Sequence, residues 1–103
     1  MAGRLITVYW RDIPAQVIAR VGRRGTKVQL DARFHKAIDR AAMRAGKGSS
    51  DAYMSEWRRE AESLETTDEL HEIAARAASR LESEFSDEQL LHMIRNHGWA
   101  NTE

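Results

Sequence analysis

The sequence contains no cysteine and only one proline among its 103 residues. The absence of cysteine excludes disulfide bonds, thiolate metal sites, cysteine nucleophiles and CxxC redox chemistry. One proline and six glycines exclude a collagen-like or proline-rich chain. No apolar run approaches the roughly 20 residues that cross a bilayer, and the first residues have no apolar stretch of signal-peptide type. We therefore expect a cytoplasmic protein that does not enter a membrane.

The composition that is present is typical of one globular domain. Hydrophobic residues make up 42% of the chain and charged residues 31%, which indicates a folded protein rather than a disordered one. A chain of 103 residues can bury a core without disulfides. We predict a single domain over residues 1–103, with a strand and hairpin region over 1–30 and a helical region over 31–103.

The net charge of zero conceals two halves of opposite charge. Residues 1–48 contain eleven Lys and Arg against three Asp and Glu, a net charge of +8, and residues 49–103 have a net charge of −8. This split favours a polyanionic partner for the first half, a basic partner for the second, or contact between the halves. That contact could lie within one fold or across a homodimer, and the sequence leaves these alternatives open.

The first 30 residues carry the strand signals. Residues 4–11 are rich in β-branched and aromatic types and predict a strand that is covered on both faces. Residues 16–30 have two interpretations. The first is a hairpin, because two segments alternate with period two around a glycine-bounded turn; the second is a short helix from Pro14 to Val21. We favour the hairpin.

Four helices are predicted after residue 30. The first begins after an N-cap at Asp31 and ends at Gly46, and the fourth begins at Ser86 and ends at Gly98. The second is capped by Ser49 or Ser50 and the third by Thr66 or Thr67. The second helix is predicted to bury Tyr53, Trp57, Ala61 and Leu64. The predicted fold class is α+β, with a small antiparallel sheet of two or three strands followed by four helices.

A stripe of basic residues lies on one face of the first predicted helix. Its members are Arg33, Lys36, Arg40, Arg44 and Lys47. Spacings of three and four residues place them within an arc of roughly 80°. Like charges at this spacing repel one another, so the stripe indicates a site for phosphate or for an acidic partner. The alternatives are an ordinary solvated face and a face that docks on the acidic helices of the same chain.

The glycine-bounded turn carries a second candidate site, for nucleic acid. Its residues are Gly22, Arg23, Arg24, Gly25 and Lys27. The segment resembles the GxxG loop of KH domains, in which glycines allow close approach to a nucleotide backbone and a basic residue meets phosphate. A KH fold needs a further strand after its second helix, and no strand signal follows Leu30. Two glycines that flank a hairpin turn are the commoner cause of this motif.

Aromatic and charged residues also cluster at the end of the first predicted strand. They are Tyr9, Trp10, Arg11 and Asp12. Because tryptophan and arginine are enriched at binding hot spots, this strand end is a candidate partner-binding surface. The alternative is a small domain that packs both faces of its first strand.

No motif of catalysis or metal binding occurs in the sequence. His92 and His97 are five residues apart, so on a helix they cannot easily share a metal. GxSxG, P-loop and dinucleotide motifs are absent. We therefore expect no metal, no cofactor and no catalytic residue. An enzyme whose site forms only with a partner or a dimer mate remains an alternative.

Several separated blocks of the sequence resemble the small bacterial virulence factor domain family. The blocks are Val8 to Val17, Ala32 to Phe34, Ala37 to Met43, Ser50 to Tyr53, and Trp57 with Arg58. They cover roughly residues 5–60 and keep their order. The resemblance implies a bacterial cytoplasmic protein and brings no reaction, cofactor or catalytic residue.

Together these observations predict a non-catalytic accessory or adaptor protein that binds another cytoplasmic protein or a second copy of itself. The basic stripe and the strand end are its candidate surfaces. The alternative function is RNA or nucleic-acid binding through the GxxG turn and the basic helix face.

Overall fold

The β-branched residues at the start of the chain form strands, and helices occupy most of the remainder. The computed structural model describes residues 2–47, 49–65 and 69–100. Its elements are β1 (Ala2–Trp10), β2 (Ile13–Val21), β3 (Arg24–Gln29), α1 (Ala32–Arg44), α2 (Ser50–Met54), β4 (Trp57–Glu65), α3 (Leu70–Glu84) and α4 (Asp87–Arg95). The α+β class is therefore confirmed, although the sheet has four strands rather than two or three.

The four strands form one antiparallel sheet in the order β3-β2-β1-β4. The predicted hairpin is confirmed as β2 and β3, and the alternative helix from Pro14 to Val21 is wrong. Gly22 lies in the turn with φ +57°, a left-handed conformation that glycine adopts without the steric cost of a Cβ. Gly3 on β1 is constrained by close packing, since a Cβ there would collide with the backbone carbonyl oxygen of Arg20.

The second predicted helix is wrong over most of its length. Only Ser50–Met54 is helical, and residues 57–65 form β4, a strand within the region that was predicted to be helical. Arginine, glutamate and alanine favour helices locally, but pairing overrides that preference. Every residue of β4 pairs with one of β1. The backbone N–H and C=O groups along the second edge of β1, which a central strand must satisfy, therefore have hydrogen-bond partners on β4.

The other three helices are confirmed. α1 follows Asp31, whose carboxylate lies 3.3 Å from Arg33 Nε rather than capping the helix. Ser86 precedes α4 in a complete capping box with Gln89. Glu69 caps α3 by accepting a hydrogen bond from the backbone of His71. The predicted caps at Thr66 and Thr67 lie outside the described residues.

The main core lies between the helices and one face of the sheet. α3 packs on β2 and β3, α1 packs on β2, and α4 packs on α1. The core contains Trp10, Ile13, Val17, Phe34 and Ile38, each at most 1% exposed. Trp10 joins it beyond an irregularity in register between Val8 and Tyr9, since a β-bulge re-aims the side chains that follow it.

The second face of the sheet has a small cluster of its own. Ile6, Val8 and Ile18 form it, with Trp57 packed against them. Among the described residues, no helix side chain joins this cluster. We call this surface the open face of the sheet. No helix in the described ranges has the length and hydropathy to cross a membrane.

Candidate functional site

Trp10, one of the predicted strand-end residues, lies in the core. Its side chain is fully buried, and its indole Nε1 donates a hydrogen bond of 3.0 Å to the carbonyl oxygen of Tyr53. The two rings stack with their centroids 6.0 Å apart. Trp10 therefore attaches α2 to the end of β1, and its buried ring offers no area to a partner.

Arg11 is enclosed by residues from the rest of the chain. Its Nε lies 2.7 Å from Glu56 Oε1, and its Nη1 donates to the carbonyl oxygen of His97 at 2.9 Å. The guanidinium lies 5.2 Å from the ring centroid of Trp10 and 5.0 Å from that of Trp99. The Arg11 side chain is 10% exposed, so most of its charge is compensated internally. Trp99, which covers it, is 44% exposed.

Asp12 and Tyr9 both contact Arg58 of β4. Asp12 Oδ1 accepts from Arg58 Nη2 at 3.1 Å, and Asp12 Oδ2 accepts from the backbone of Ala100 at 2.8 Å. The Arg58 guanidinium lies 4.5 Å from the Tyr9 ring centroid. Burial lowers the pKa of Arg58, but hydrogen bonds and charge from Glu60 and Asp12 outweigh it and raise the pKa overall. These contacts fasten β4 to the strand end, and a partner-binding role for these residues stays a prediction.

The basic stripe of α1 divides into one internally bound residue and several exposed ones. Arg33 Nη1 donates to the carbonyl oxygen of Phe85 at 2.6 Å and lies 3.2 Å from Asp87 Oδ1, while Nη2 donates to the carbonyl oxygen of Glu82. Arg33 thus connects α1 to the junction of α3 and α4. Lys36, which follows it in the stripe, is exposed.

The exposed part of the stripe borders a groove between α1 and α4. Lys36, Arg40 and Arg44 have no ion pair within the described part of the chain. The groove is lined by Lys36, Arg40, Met43, Arg44, Leu91 and Ile94, together with Asp39 and Asp87. We call it the α1–α4 groove. Met43 is 73% exposed and Leu91 43% exposed. Lys47 lies past the end of α1 and is half-buried.

The GxxG segment is a hairpin turn, and it brings part of the predicted nucleic-acid site to the open face. Arg23 and Lys27 line a groove of 650 Å³ there. The groove also contains Gln16, Ile18, Arg20 and Arg59. We call it the open-face groove. Arg24 pairs with Val21 in the hairpin and lies outside the groove lining.

The sequence model of a family described as virulence factor matches residues 8–94. The chain belongs to the virulence factor family. The match extends the resemblance seen in the sequence, because it reaches from β1 through most of α4. No curated protein and no solved structure matches the chain.

In this member of the virulence factor family, sequence reasoning missed Arg20 and Arg59 as candidate site residues. The period-two pattern places Arg20 on the same face as Ile18, but the sequence alone does not show that this face of the sheet carries a groove. Arg59 falls within the predicted second helix, and that prediction does not place it beside β1, where it pairs with Val8. Residues 57–65 have no period-two pattern that indicates a strand, because Trp57, Ala61 and Leu64 repeat at helical spacing. Within the described residues, no group of three or more His, Cys, Asp or Glu side chains is placed to hold a metal ion.

Proposed function

We propose that this protein is a non-catalytic accessory protein that binds an acidic, helical segment of another protein in the α1–α4 groove. The observation that carries the proposal is the combination of exposed cations without ion partners and exposed apolar side chains in one groove. Met43 at 73% exposure and Leu91 at 43% lie among Lys36, Arg40 and Arg44. The cytoplasmic location of this interaction stays a prediction.

The charges in the groove support an acidic partner. Lys36, Arg40 and Arg44 follow one another at intervals of four residues on α1, where like charges destabilise a helix by a few tenths of a kcal/mol per pair. A partner that supplies carboxylates would relieve this repulsion. Asp39 and Asp87 lie at the margins of the groove, but they form no ion pair with these three cations in the described ranges.

The apolar residues favour a protein over a polyanion such as nucleic acid. Phosphate contacts need cations and hydrogen-bond donors, whereas a protein interface also excludes water from apolar area. Eight residues separate Lys36 from Arg44, which is about 12 Å along a helix and matches about two turns of a partner helix. Helix-in-groove binding uses such an arrangement of apolar anchors flanked by charges.

The test compares two double variants with equal changes in net charge. Tagged protein would be used to capture the partner from its native host at moderate salt, with identification by mass spectrometry. We expect Arg40→Glu with Arg44→Glu to abolish recovery of the partner. Arg24→Glu with Arg80→Glu, which changes exposed residues away from the groove, should leave recovery unchanged.

Circular dichroism must show that both variants keep the wild-type fold. Equal loss of the partner in both variants would contradict the assignment of the groove, and so would a partner whose bound segment is not acidic. A salt-sensitive dimer in analytical ultracentrifugation, lost in the Arg40/Arg44 variant, would identify the partner as a second copy of this chain.

A further inference from the structure

We propose that the open face of the sheet is a second binding site, which takes single-stranded RNA in the open-face groove. This site lies on the side of the sheet opposite the helices, and it shares no residue with the α1–α4 groove. It is therefore independent of the proposed protein-binding function.

The open-face groove is positively charged and contains no acid. Arg20, Arg23, Lys27 and Arg59 line it, and no carboxylate lies among its lining residues. None of the four cations has an ion pair with any residue that the structure describes. Their charge is available to a ligand, and four cations in one groove attract a polyanion.

The register of the sheet adds a fifth cation and an unfavourable pair. Arg4 lies directly opposite Arg20 across β1 and β2, and like charges at such positions destabilise a sheet. A phosphate between them would turn this repulsion into attraction. Each strand of the sheet carries one of these cations: Lys27 lies on β3, Arg20 on β2, Arg4 on β1 and Arg59 on β4.

The width of this basic surface fits a short length of a single strand. Three strand spacings of about 4.8 Å separate β3 from β4, a distance of about 14 Å. About four nucleotides span that distance at the 3.4 Å rise of a stacked strand. Arg59 pairs with Val8, four residues along β1 from Arg4, so a nucleic acid must cross the sheet obliquely to bring phosphates near cations from all four strands.

An adjoining cavity supplies groups that can contact bases. The cavity has a volume of 410 Å³, shares Gln16 and Arg59 with the groove, and is lined also by Gln29, Met54 and Trp57. It too is free of lining carboxylates. A half-buried tryptophan provides an aromatic ring for a base. Glutamine amides both donate and accept hydrogen bonds, as the ribose 2′-hydroxyl and base edges require, and this chemistry favours RNA.

Little apolar area is exposed within the open-face groove itself, and this distinguishes it from the α1–α4 groove, although Met54 in the adjoining cavity is 63% exposed. Ile6, Val8 and Ile18 are only 7 to 8% exposed, whereas Met43 in the other groove is 73% exposed. Unpaired bases and phosphates need cations, amides and one aromatic ring more than they need a broad apolar surface. The two grooves therefore suit ligands of different classes.

The experiment measures binding of a fluorescently labelled single-stranded RNA of about 12 nucleotides by anisotropy, over a range of salt. We expect log affinity to fall with log salt with a slope of about −3, since each of four phosphate contacts contributes about 0.7. Arg20→Gln with Arg59→Gln should reduce the slope by about 1.4 and weaken binding at least about tenfold at low salt.

The matched control is Arg80→Gln with Arg95→Gln, which removes the same charge from exposed positions outside both grooves. We expect it to leave the slope unchanged. An equal loss of RNA affinity in both variants would assign the effect to overall charge and overturn the proposal. Failure of the wild-type protein to bind RNA would also overturn it. Equal affinity for DNA of the same sequence, or for duplex RNA, would overturn the choice of single-stranded RNA. A glutamate-rich peptide that binds with the same dependence on Arg20 and Arg59 would assign the face to an acidic protein instead.

Discussion

At the scale of single residues, Gly98 shows how closely the segment after α4 fits the end of β1. Gly98 is buried and has φ +96°. A Cβ at this position would lie 2.8 Å from Cζ3 of Trp10. Its carbonyl oxygen accepts a hydrogen bond of 2.9 Å from the backbone of Asp12. The chain thus needs a residue without a side chain where the end of α4 meets the strand end.

We predict that Gly98→Ala lowers the free energy of unfolding by about 1–3 kcal/mol, because backbone strain and the clash with Trp10 act together. The matched control is Gly46→Ala, which also has a left-handed φ, of +72°, but has no atom within 4 Å of the added Cβ. That variant should lose only about 1 kcal/mol, the cost of placing a residue with a Cβ in the left-handed conformation. Urea denaturation measures both values, and equal losses would show that the contact with Trp10 contributes nothing.

The surroundings of two tyrosines predict that stability depends on pH in the alkaline range. Burial raises the pKa of Tyr9, and the charge of Glu60 raises it further while Arg58 lowers it. Burial also raises the pKa of Tyr53, with a smaller contribution from Asp39. Each phenol therefore keeps its proton to a higher pH in the folded protein than in the unfolded chain. Its contribution to stability is complete below the unfolded pKa and is lost as pH rises through the folded pKa.

We accordingly expect the free energy of unfolding to decline above about pH 10, the ordinary pKa of tyrosine. Tyr9→Phe and Tyr53→Phe should each make this decline shallower, and the double variant should have the shallowest decline. Urea denaturation between about pH 8 and pH 11 measures it. A decline of unchanged steepness in the double variant would show that other groups control alkaline stability.

At the scale of elements, β4 decides the form of the sheet. It occupies the free edge of β1, and Arg58 fastens it to the strand end. Ala61 on β4 is exposed and pairs with Ile6 of β1. Its substitution can therefore distinguish a strand from the helix that local sequence favours.

We predict that Ala61→Val keeps or increases the stability of the protein. Valine fits a pleated, paired surface better than alanine, whereas in a helix it would cost about 0.5 kcal/mol. The sign of the change in urea midpoint is the readout. A decrease of about 0.5 kcal/mol in the free energy of unfolding, without loss of the fold, would favour a helix over residues 57–65.

The elements also show which parts of the fold were predictable. α1, α3 and α4 could be predicted because their apolar residues repeat at helical spacing, and α4 begins at a capping box that local sequence defines. β4 could not be predicted from local sequence, because its backbone partners lie on β1, more than 45 residues earlier in the chain. The covered faces of β1 were a usable clue, since a central strand needs a neighbour on each edge.

The candidate sites divide in the same way: a site carried by one element was predictable, and a site assembled from several elements was not. The stripe on α1 was predictable because one helix carries all of it. The open-face groove depends on residues from three strands, and Arg59 comes from the strand that the sequence concealed. The internal contacts of Arg11 and Arg33 depend on the C-terminal half of the chain, so their sequence neighbourhood did not reveal them.

At the scale of the whole molecule, the two oppositely charged halves neutralise each other only in part. Ion pairs between them involve Arg11 with Glu56, Asp12 with Arg58, and Arg33 with Asp87. The exposed cations of α1 and of the open face have no such partner in the described ranges. The molecule therefore presents two basic grooves on opposite sides of the sheet, one with exposed apolar residues and one without.

The lysines allow the proposed protein partner to be located directly. The chain has only three of them. Lys36 lines the α1–α4 groove, Lys27 lines the open-face groove, and Lys47 lies past the end of α1 outside both. The decisive measurement is carbodiimide cross-linking of the captured complex, which joins lysine amines to carboxylates, followed by mass spectrometry. We predict links from Lys36 to an acidic helix of the partner and none from Lys27. Links from Lys27 alone would place the partner on the open face and contradict the assignment of the α1–α4 groove.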